Sequence, residues 1–404
     1  MNQLSIFPFE DPIYRRYMPI VTELAAEPVE TNLWDIPYSI PKLSYLTHSH
    51  FRYYGKFPPV VAGLLIDNYP PPSADHYIFD NFCGSGTTLV EAAVRGHNAY
   101  GIDANWLAVL ASNVKVRHIS LTDVKLRLSD ALRGWEDHIQ PMPDEAGEEK
   151  WFTPRAAADL TALASILKQF EPGPATDFLI LAFLAIIRRV SRAFDGEVRP
   201  HINKDKKPRD VRSAFSKKVR DMMSSHAAYM ELSPPHGDLE CLLGDNRDLR
   251  PVPAGNLYLA ISHPPYLNSF NYRPVFSLER RFAEGFAPSA ADTLFRETEL
   301  LAHPANASVI DAYFAHLKSC YEALHARQDR GSYLAVVIGD CTVKHQLVPV
   351  VDMTADILEP IGYDLAQINY RTTHYGLGKY AYSHRADYHG EAQKKDGILV
   401  FKRR

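Results

Sequence analysis

Tyr77 to Asp103 read YIFDNFCGSGTTLVEAAVRGHNAYGID, and this stretch decides the fold. YIFDNF (77–82) is a short apolar run that ends in a Gly-containing turn, the pattern of a buried strand. Thr87 to Arg95 suits a helix, and Gly96 stops it, as glycine often does just past a helix end. NAYGID (98–103) reads as a second strand ending in an acid, and Asn105 to Val116 as a second helix. Strand, helix, strand, helix with short links is the start of a doubly wound α/β sheet.

The turn itself suits a ligand. Gly84 and Gly86 lack a Cβ and tolerate positive φ, so a ligand can approach the backbone closely. The N–H groups at the start of the next helix then face that ligand. Asp103, about 20 residues on, is placed to hydrogen-bond ribose hydroxyls. The pattern is that of a nucleoside-cofactor site. Leu89 stands where the third glycine of GxGxxG would be, which argues against NAD or FAD, and no Walker sequence is present, which argues against ATP. A bare Gly-x-Gly can also be a tight turn without a ligand; Asp103 in register is what favours the site.

Outward from this core the pattern changes and then returns. Residues 121–235 hold helical stretches, among them Leu160–Phe170 and Phe178–Phe194, and no clear strand. Strands are expected at Leu239–Leu243, Asn256–Ser262, Tyr333–Gly339, Tyr363–Arg371 and Gly397–Lys402, with helices at Ala312–Ala326 and Val350–Glu359. That makes about seven strands, with an antiparallel pair expected at the C-terminal edge. The expected organisation is an N-terminal arm (1–45), an α/β domain (46–120 and 236–404) and a helical insertion (121–235).

The chain has 404 residues, 46% hydrophobic and 23% charged, which excludes a disordered, collagenous or coiled-coil protein. Its net charge of −4 does not advertise a nucleic-acid binder, so any basic surface must be local. Cys83, Cys241, Cys320 and Cys341 form no CxxC pair, and no metal site is expected. The apolar runs are too short to span a bilayer and the N-terminus lacks a signal-peptide pattern. The expected location is cytoplasmic.

A second constellation, Ser262-His263-Pro264-Pro265-Tyr266, follows the strand Asn256–Ser262 and so lies at a carboxyl end, where such sheets bind ligands. Two prolines fix φ and remove two donors while leaving their carbonyls to accept. Tyr266 can stack on a flat ring. A rigid acceptor beside a stacking ring suits holding the exocyclic amine of a base.

Taken together, these motifs resemble the amino-group DNA methyltransferases, which make N4-methylcytosine or N6-methyladenine from S-adenosyl-L-methionine. Asp80-Asn81-Phe82-Cys83-Gly84-Ser85-Gly86-Thr87-Thr88 is similar to that family's motif I, and His263-Pro264-Pro265-Tyr266 to its motif IV. Thr47-His48 with Gly55-Lys56-Phe57-Pro58-Pro59 resembles motif X, Gly244–Leu249 the acidic motif III, and Tyr272 the run after the prolines. The resemblance covers roughly 45–120 and 239–402. It implies a class I methyltransferase fold, Rossmann-like, with a seven-stranded mostly parallel sheet. It assigns Asp80, Phe82, Gly84, Gly86, Thr87 and Thr88 to the cofactor's methionine end, with Lys56, Phe57 and Pro58 bordering it. Asp103 would hold the ribose and Asp245 the adenine amine. His263, Pro264, Pro265 and Tyr266 would form the catalytic pocket for a base flipped out of double-stranded DNA. A cognate restriction nuclease is a candidate companion.

Two positions depart from the family. Asn81 replaces its usual proline, and His263 replaces its usual Ser, Asp or Asn. A neutral imidazole can also accept a hydrogen bond. Ser262 next door tilts the expected target to cytosine N4 over adenine N6. No Pro-Cys pair is present, so 5-methylcytosine chemistry is not expected.

Residues 188–220 hold twelve Arg and Lys against four acids, a net of +8 in an acidic chain. Such a run reads as a phosphate contact, with Lys204, Lys206, Lys207 and Arg209 as candidates, or else as a solvated face. The loop 371–396 interleaves tyrosines with cations, and Tyr375 and Lys379 are its candidates for base and phosphate contact. An RNA amino-methyltransferase, and a nucleic-acid-binding module of the same fold without activity, remain the alternatives.

Overall fold

The residues just before the Gly-x-Gly turn form an interior strand of a seven-stranded sheet, next to its central one. The computed structural model describes residues 43–56, 58–139, 150–233, 238–267, 272–289, 291, 295, 307–343, 346–370 and 396–404. The strands are β1 (His76–Asp80), β2 (Ala99–Asp103), β3 (Leu239–Leu243), β4 (Asn256–Ser262), β5 (Tyr333–Gly339), β6 (Cys341–Val343), β7 (Gln346–Val348), β8 (Tyr363–Tyr370) and β9 (Asp396–Arg403). The large sheet runs β3-β2-β1-β4-β5-β9-β8, and β6 and β7 pair separately. β3, β2, β1, β4 and β5 are parallel, while β9 is antiparallel to both neighbours. This is the class I methyltransferase fold. The C-terminal antiparallel pairing is present, but the last strand lies inside the sheet and β8 takes the edge. β6 and β7, three residues each, are too short to carry a strand pattern in the sequence.

Strand alternation divides the core. Ile78, Leu259, Val337 and Val400 pack on one face with α1 (Pro59–Asn68), α2 (Thr87–Val94) and α3 (Trp106–Val116). Phe79, Ala260, Val336 and Phe401 pack on the other. Between β2 and β3 the chain forms α4 (Leu121–Arg133), α5 (Pro154–Gln169), α6 (Pro174–Val190) and α7 (Val211–Leu232). Their starts carry local signals: Ser120, Thr153 and Asp210 cap α4, α5 and α7 by accepting from backbone N–H groups, and Pro154 opens α5. These helices build a third apolar cluster with Phe51, Tyr53, Tyr54, the short α8 (Tyr272–Val275) and α9 (Ser277–Ala283). α10 (Ala307–His325) and α11 (Val350–Leu358) cover the second sheet face.

The chain leaves β1 toward β2 on one side and reaches β4 on the other. The carboxyl ends of β1 and β4, which pair directly, therefore form the topological switch point where such sheets bind ligands. The Gly-x-Gly turn follows β1 and His263 follows β4. No helix among the described residues is long and apolar enough to cross a membrane.

Candidate functional site

A cleft at this switch point is lined by both constellations, among them Asp80, Phe82, Gly84, Thr87, Asp103, His263 and Pro265. Gly84 and Gly86 adopt φ of 51° and 77°, values that favour glycine. At Gly86 an added Cβ would also lie 2.9 Å from the Ser112 Cα, so the turn is pressed against α3. Two α3 side chains hold it from behind. The Ser112 hydroxyl donates to the Gly84 carbonyl (2.9 Å), and the buried Lys115 donates to the Ser85 carbonyl (2.6 Å). Burial pushes the Lys115 ammonium well below its usual range.

Asp80 is buried at the turn's entrance, where it accepts from the Phe82 N–H (3.0 Å) and the Thr88 hydroxyl (2.5 Å). Desolvation outweighs these bonds and pushes its carboxyl up to about 7. Asp103 accepts from the Gly84 N–H (2.7 Å) and the Asn105 N–H (2.8 Å), tying the end of β2 to the turn. Burial raises its carboxyl to about 6. Lys56 also lines the cleft, donates to the His48 carbonyl (3.3 Å), and is lowered by burial to about 8. Tyr53 packs on Gly84 and stacks with Tyr272 and Phe276.

On the β4 side, His263 lines the cleft with its ring edge-on to Tyr266 at 5.3 Å between centroids. Two expectations change here. The Pro265 carbonyl already accepts from the Tyr313 hydroxyl (2.8 Å), so the two prolyl carbonyls are not equally available. Ser262 is fully buried and pairs with the Tyr321 hydroxyl at 3.2 Å, behind the strand end, so it does not act in the cleft. The reason is alternation: neighbours on a strand face opposite ways.

Other candidates are placed as follows. Thr87 lines the cleft; Gly86 and Thr88 support it from within the turn, and Pro58 caps α1. Asp245 is not among the lining residues; Gly244 and Asn246 are. Burial alone would raise the Asp245 carboxyl, but its ion pair with Arg247 holds it below the usual range. Pro264 is buried, and Tyr266 is half-buried beside His263. Lys204, Lys207 and Arg209 are exposed. Lys206 is not: its side chain is 11% exposed and its ammonium donates to the Arg188 and Ala193 carbonyls and to Asp195, so it braces the loop. Arg188, from the same basic run, is buried beside Glu279 and donates to the Tyr54 hydroxyl. Phe57, Tyr375 and Lys379 lie outside the described residues. Among the described residues no cluster of His, Cys, Asp and Glu could hold a metal ion.

Several lining residues are not among the candidates that the sequence alone suggests. Tyr53 stands inside the motif X run, where a signal is available. Tyr313 and His316 share one face of α10 at i, i+3, a spacing indistinguishable from ordinary core packing. Asn246 lies in the motif III segment, where the neighbouring acid draws the assignment.

Comparison with known proteins adds to this geometry. The N6/N4 family model described as DNA methylase matches residues 12–113. The matched segment takes in the Gly-x-Gly turn and Asp103 and is less than half of the chain. Among individual relatives, the type II methyltransferase M.MvaI of Kocuria varians is 25% identical over 165 residues, 38% of this chain and 36% of that protein. The tRNA (guanine(10)-N2)-dimethyltransferase of Methanothermobacter thermautotrophicus is 33% identical over 81 residues, 20% of this chain and 24% of that protein. The type II methyltransferase M.MjaII of Methanocaldococcus jannaschii is 28% identical over 115 residues, 28% of this chain and 21% of that protein. The alignments thus span about a third or less of the curated relatives' lengths. Among solved structures, TrmN from Thermus thermophilus matches with a TM-score of 0.33 at 10% identity, over 86% of this chain and 49% of that one.

The cleft fits S-adenosylmethionine. Ser85 Oγ and both polar atoms of the Asn81 side chain are buried at its wall without a partner in the protein, as expected where a polar ligand completes the site. Asp80 and Asp103 add carboxylates for cationic and hydroxyl groups.

Proposed function

We propose that the protein transfers a methyl group from S-adenosylmethionine to an exocyclic amino group of a base in DNA. The observation that carries this reading is that the Gly-x-Gly turn, His263 and Pro265 line one cleft at the paired ends of β1 and β4. The bound cofactor would supply an electrophilic methyl group on a sulfonium. Asp80, at the turn, would hold the cationic amino-acid end, and Asp103 the ribose. His263 and the Pro264 carbonyl are the acceptors that orient the target amine, so that its lone pair faces the methyl group. Tyr266 and the aromatic wall of Tyr53 and Tyr272 exclude water and offer faces for a flipped base. The buried Cys83 thiol packs against Gly101 and takes no part as a nucleophile.

Ser262, the residue that tilted the expected target to cytosine N4, faces away from the cleft, so cytosine N4 and adenine N6 stand as equal targets of the proposed reaction. DNA is favoured by the matched family and by the two type II methyltransferase relatives; the tRNA-methylating relative makes RNA the second reading. The test offers duplex DNA from a methylation-free host and structured RNA to the purified protein with labelled cofactor, and identifies the product nucleoside by mass. N4-methylcytosine or N6-methyladenine in DNA is expected. Methylation of RNA alone would replace the reading.

A further inference from the structure

Asn81 is the residue at which this chain departs from its family inside the cofactor turn, and the structure gives that departure a use. The side chain is 1% exposed, yet neither its amide nitrogen nor its carbonyl oxygen has a partner in the protein. Its backbone is fixed, because the Asn81 carbonyl accepts from the Asn246 side-chain amide (2.9 Å), and the Asn246 oxygen in turn accepts from the Cys320 thiol (2.9 Å). Asn81, Asn246 and His316 all line the cleft, and His316 Nδ1 is likewise buried without a partner. A buried amide left unsatisfied on both atoms costs stability, and the family's proline carries no such side-chain burden. The cleft that Asn81 lines is where a partner can come from.

We infer that the Asn81 carboxamide reads the amidine edge of an aminated nucleobase bound in the cleft. That edge sets a ring nitrogen acceptor beside an exocyclic amino donor. A carboxamide offers the complementary donor and acceptor, as it does on another edge of adenine when asparagine pairs with N6 and N7 in nucleic acids. The edge is present both on the adenine of the cofactor and on the target cytosine or adenine. The inference rests on the methyl-transfer reading and adds a specificity-determining residue to it.

The experiment compares the parent chain with Asn81→Asp, which keeps the shape and replaces the donor by an acceptor, and with Asn81→Ala, which removes both. Thermal melts first establish that each variant folds. Calorimetry then measures S-adenosylhomocysteine and its hypoxanthine counterpart, in which the amidine edge is inverted. Methyl transfer to unmethylated genomic DNA gives KM and kcat. If the cofactor's adenine is read, the parent prefers the adenosyl compound and both variants lose roughly 5- to 150-fold of that preference, the range of one bidentate contact. If the target base is read, cofactor binding is unchanged and kcat/KM for DNA falls by a similar factor. Folded variants that keep both the adenosyl preference and kcat/KM would overturn the inference while leaving the methyl-transfer reading intact. A parent chain that binds neither compound would instead overturn the cofactor reading on which it stands.

Discussion

Two buried carboxyl groups at the turn are raised above the ordinary carboxylate range. Asp80 is pushed up to about 7 and Asp103 to about 6, both by burial, from ordinary values near 3.8. A carboxyl raised in the folded state favours folding while it is protonated, so the free protein should lose stability as pH climbs from about 4 toward 7. A bound sulfonium and ammonium favour the carboxylates. Cofactor affinity should therefore rise with pH between about 5 and 7, with proton release visible as a dependence of the calorimetric heat on buffer ionisation enthalpy. Equal heats in all buffers would remove the coupling. On the other wall, His263→Ala should abolish most turnover with cofactor affinity retained, and His263→Ser should restore part of it. Steady-state methyl transfer at saturating cofactor checks this, and full activity in His263→Ala would leave orientation to Pro264 and Tyr266. At this scale the sequence shows the part of the lining that sits at strand ends, such as Asp80, Asp103 and His263, and misses Tyr53, Tyr313, His316 and Asn246. It does not show which atoms are already taken: Tyr313 claims the Pro265 carbonyl from 48 positions away, and Arg247 claims Asp245.

The helix behind the turn is held by one buried side chain. Glu91 of α2 is fully buried, accepts from the Tyr45 hydroxyl and from Arg95 (2.7 Å), and stands 2.9 Å from His48 Nε2. Burial alone would raise its carboxyl, but Arg95, His48 and Tyr45 together hold it below the usual range. Glu91 thus ties α2, and with it the Gly-x-Gly turn, to the segment that carries Lys56. Glu91→Ala removes the acceptor shared by Tyr45, His48 and Arg95, while Arg95 keeps its pair with Asp67 (2.7 Å), and should cost about 1–3 kcal/mol in chemical denaturation. A cost under about 1 kcal/mol, the size of an exposed pair, would show the clamp to be dispensable. The elements themselves are legible in the sequence: β3, β4 and β5 match their expected ranges residue for residue, because each is an apolar run bounded by turn residues. The position of β9 between β5 and β8 is not, since an apolar run names a strand but not its neighbours.

Across the whole molecule the charge asymmetry survives with fewer members than its sequence count. Lys204, Lys207 and Arg209 stay exposed, while Lys206 and Arg188 serve the loop and its core. Neutralising the exposed three together should weaken DNA binding and lower the salt slope by up to about 2–3, at roughly 0.9 for each phosphate no longer neutralised. Lys206→Ala, by comparison, should act mainly on thermal stability. An unchanged slope in the triple variant would reduce the run to a solvated face.

The helices between β2 and β3 share their apolar cluster with Tyr53, Tyr54, Val275 and Phe276, which come from segments on either side of the cleft. Tyr53 stacks on Phe276 at 5.2 Å and touches the Gly84 turn. The helical segment is thus not a cassette. Exchanging it for that of another enzyme, in order to transplant a recognition sequence, would strip the backing from the aromatic wall. A functional chimaera would have to carry residues 51–54 and 272–283 along with 121–233. On the proposed function, any drift in the helical segment must be matched by drift in the aromatic wall of the cleft, so whatever the two parts contribute is inherited together.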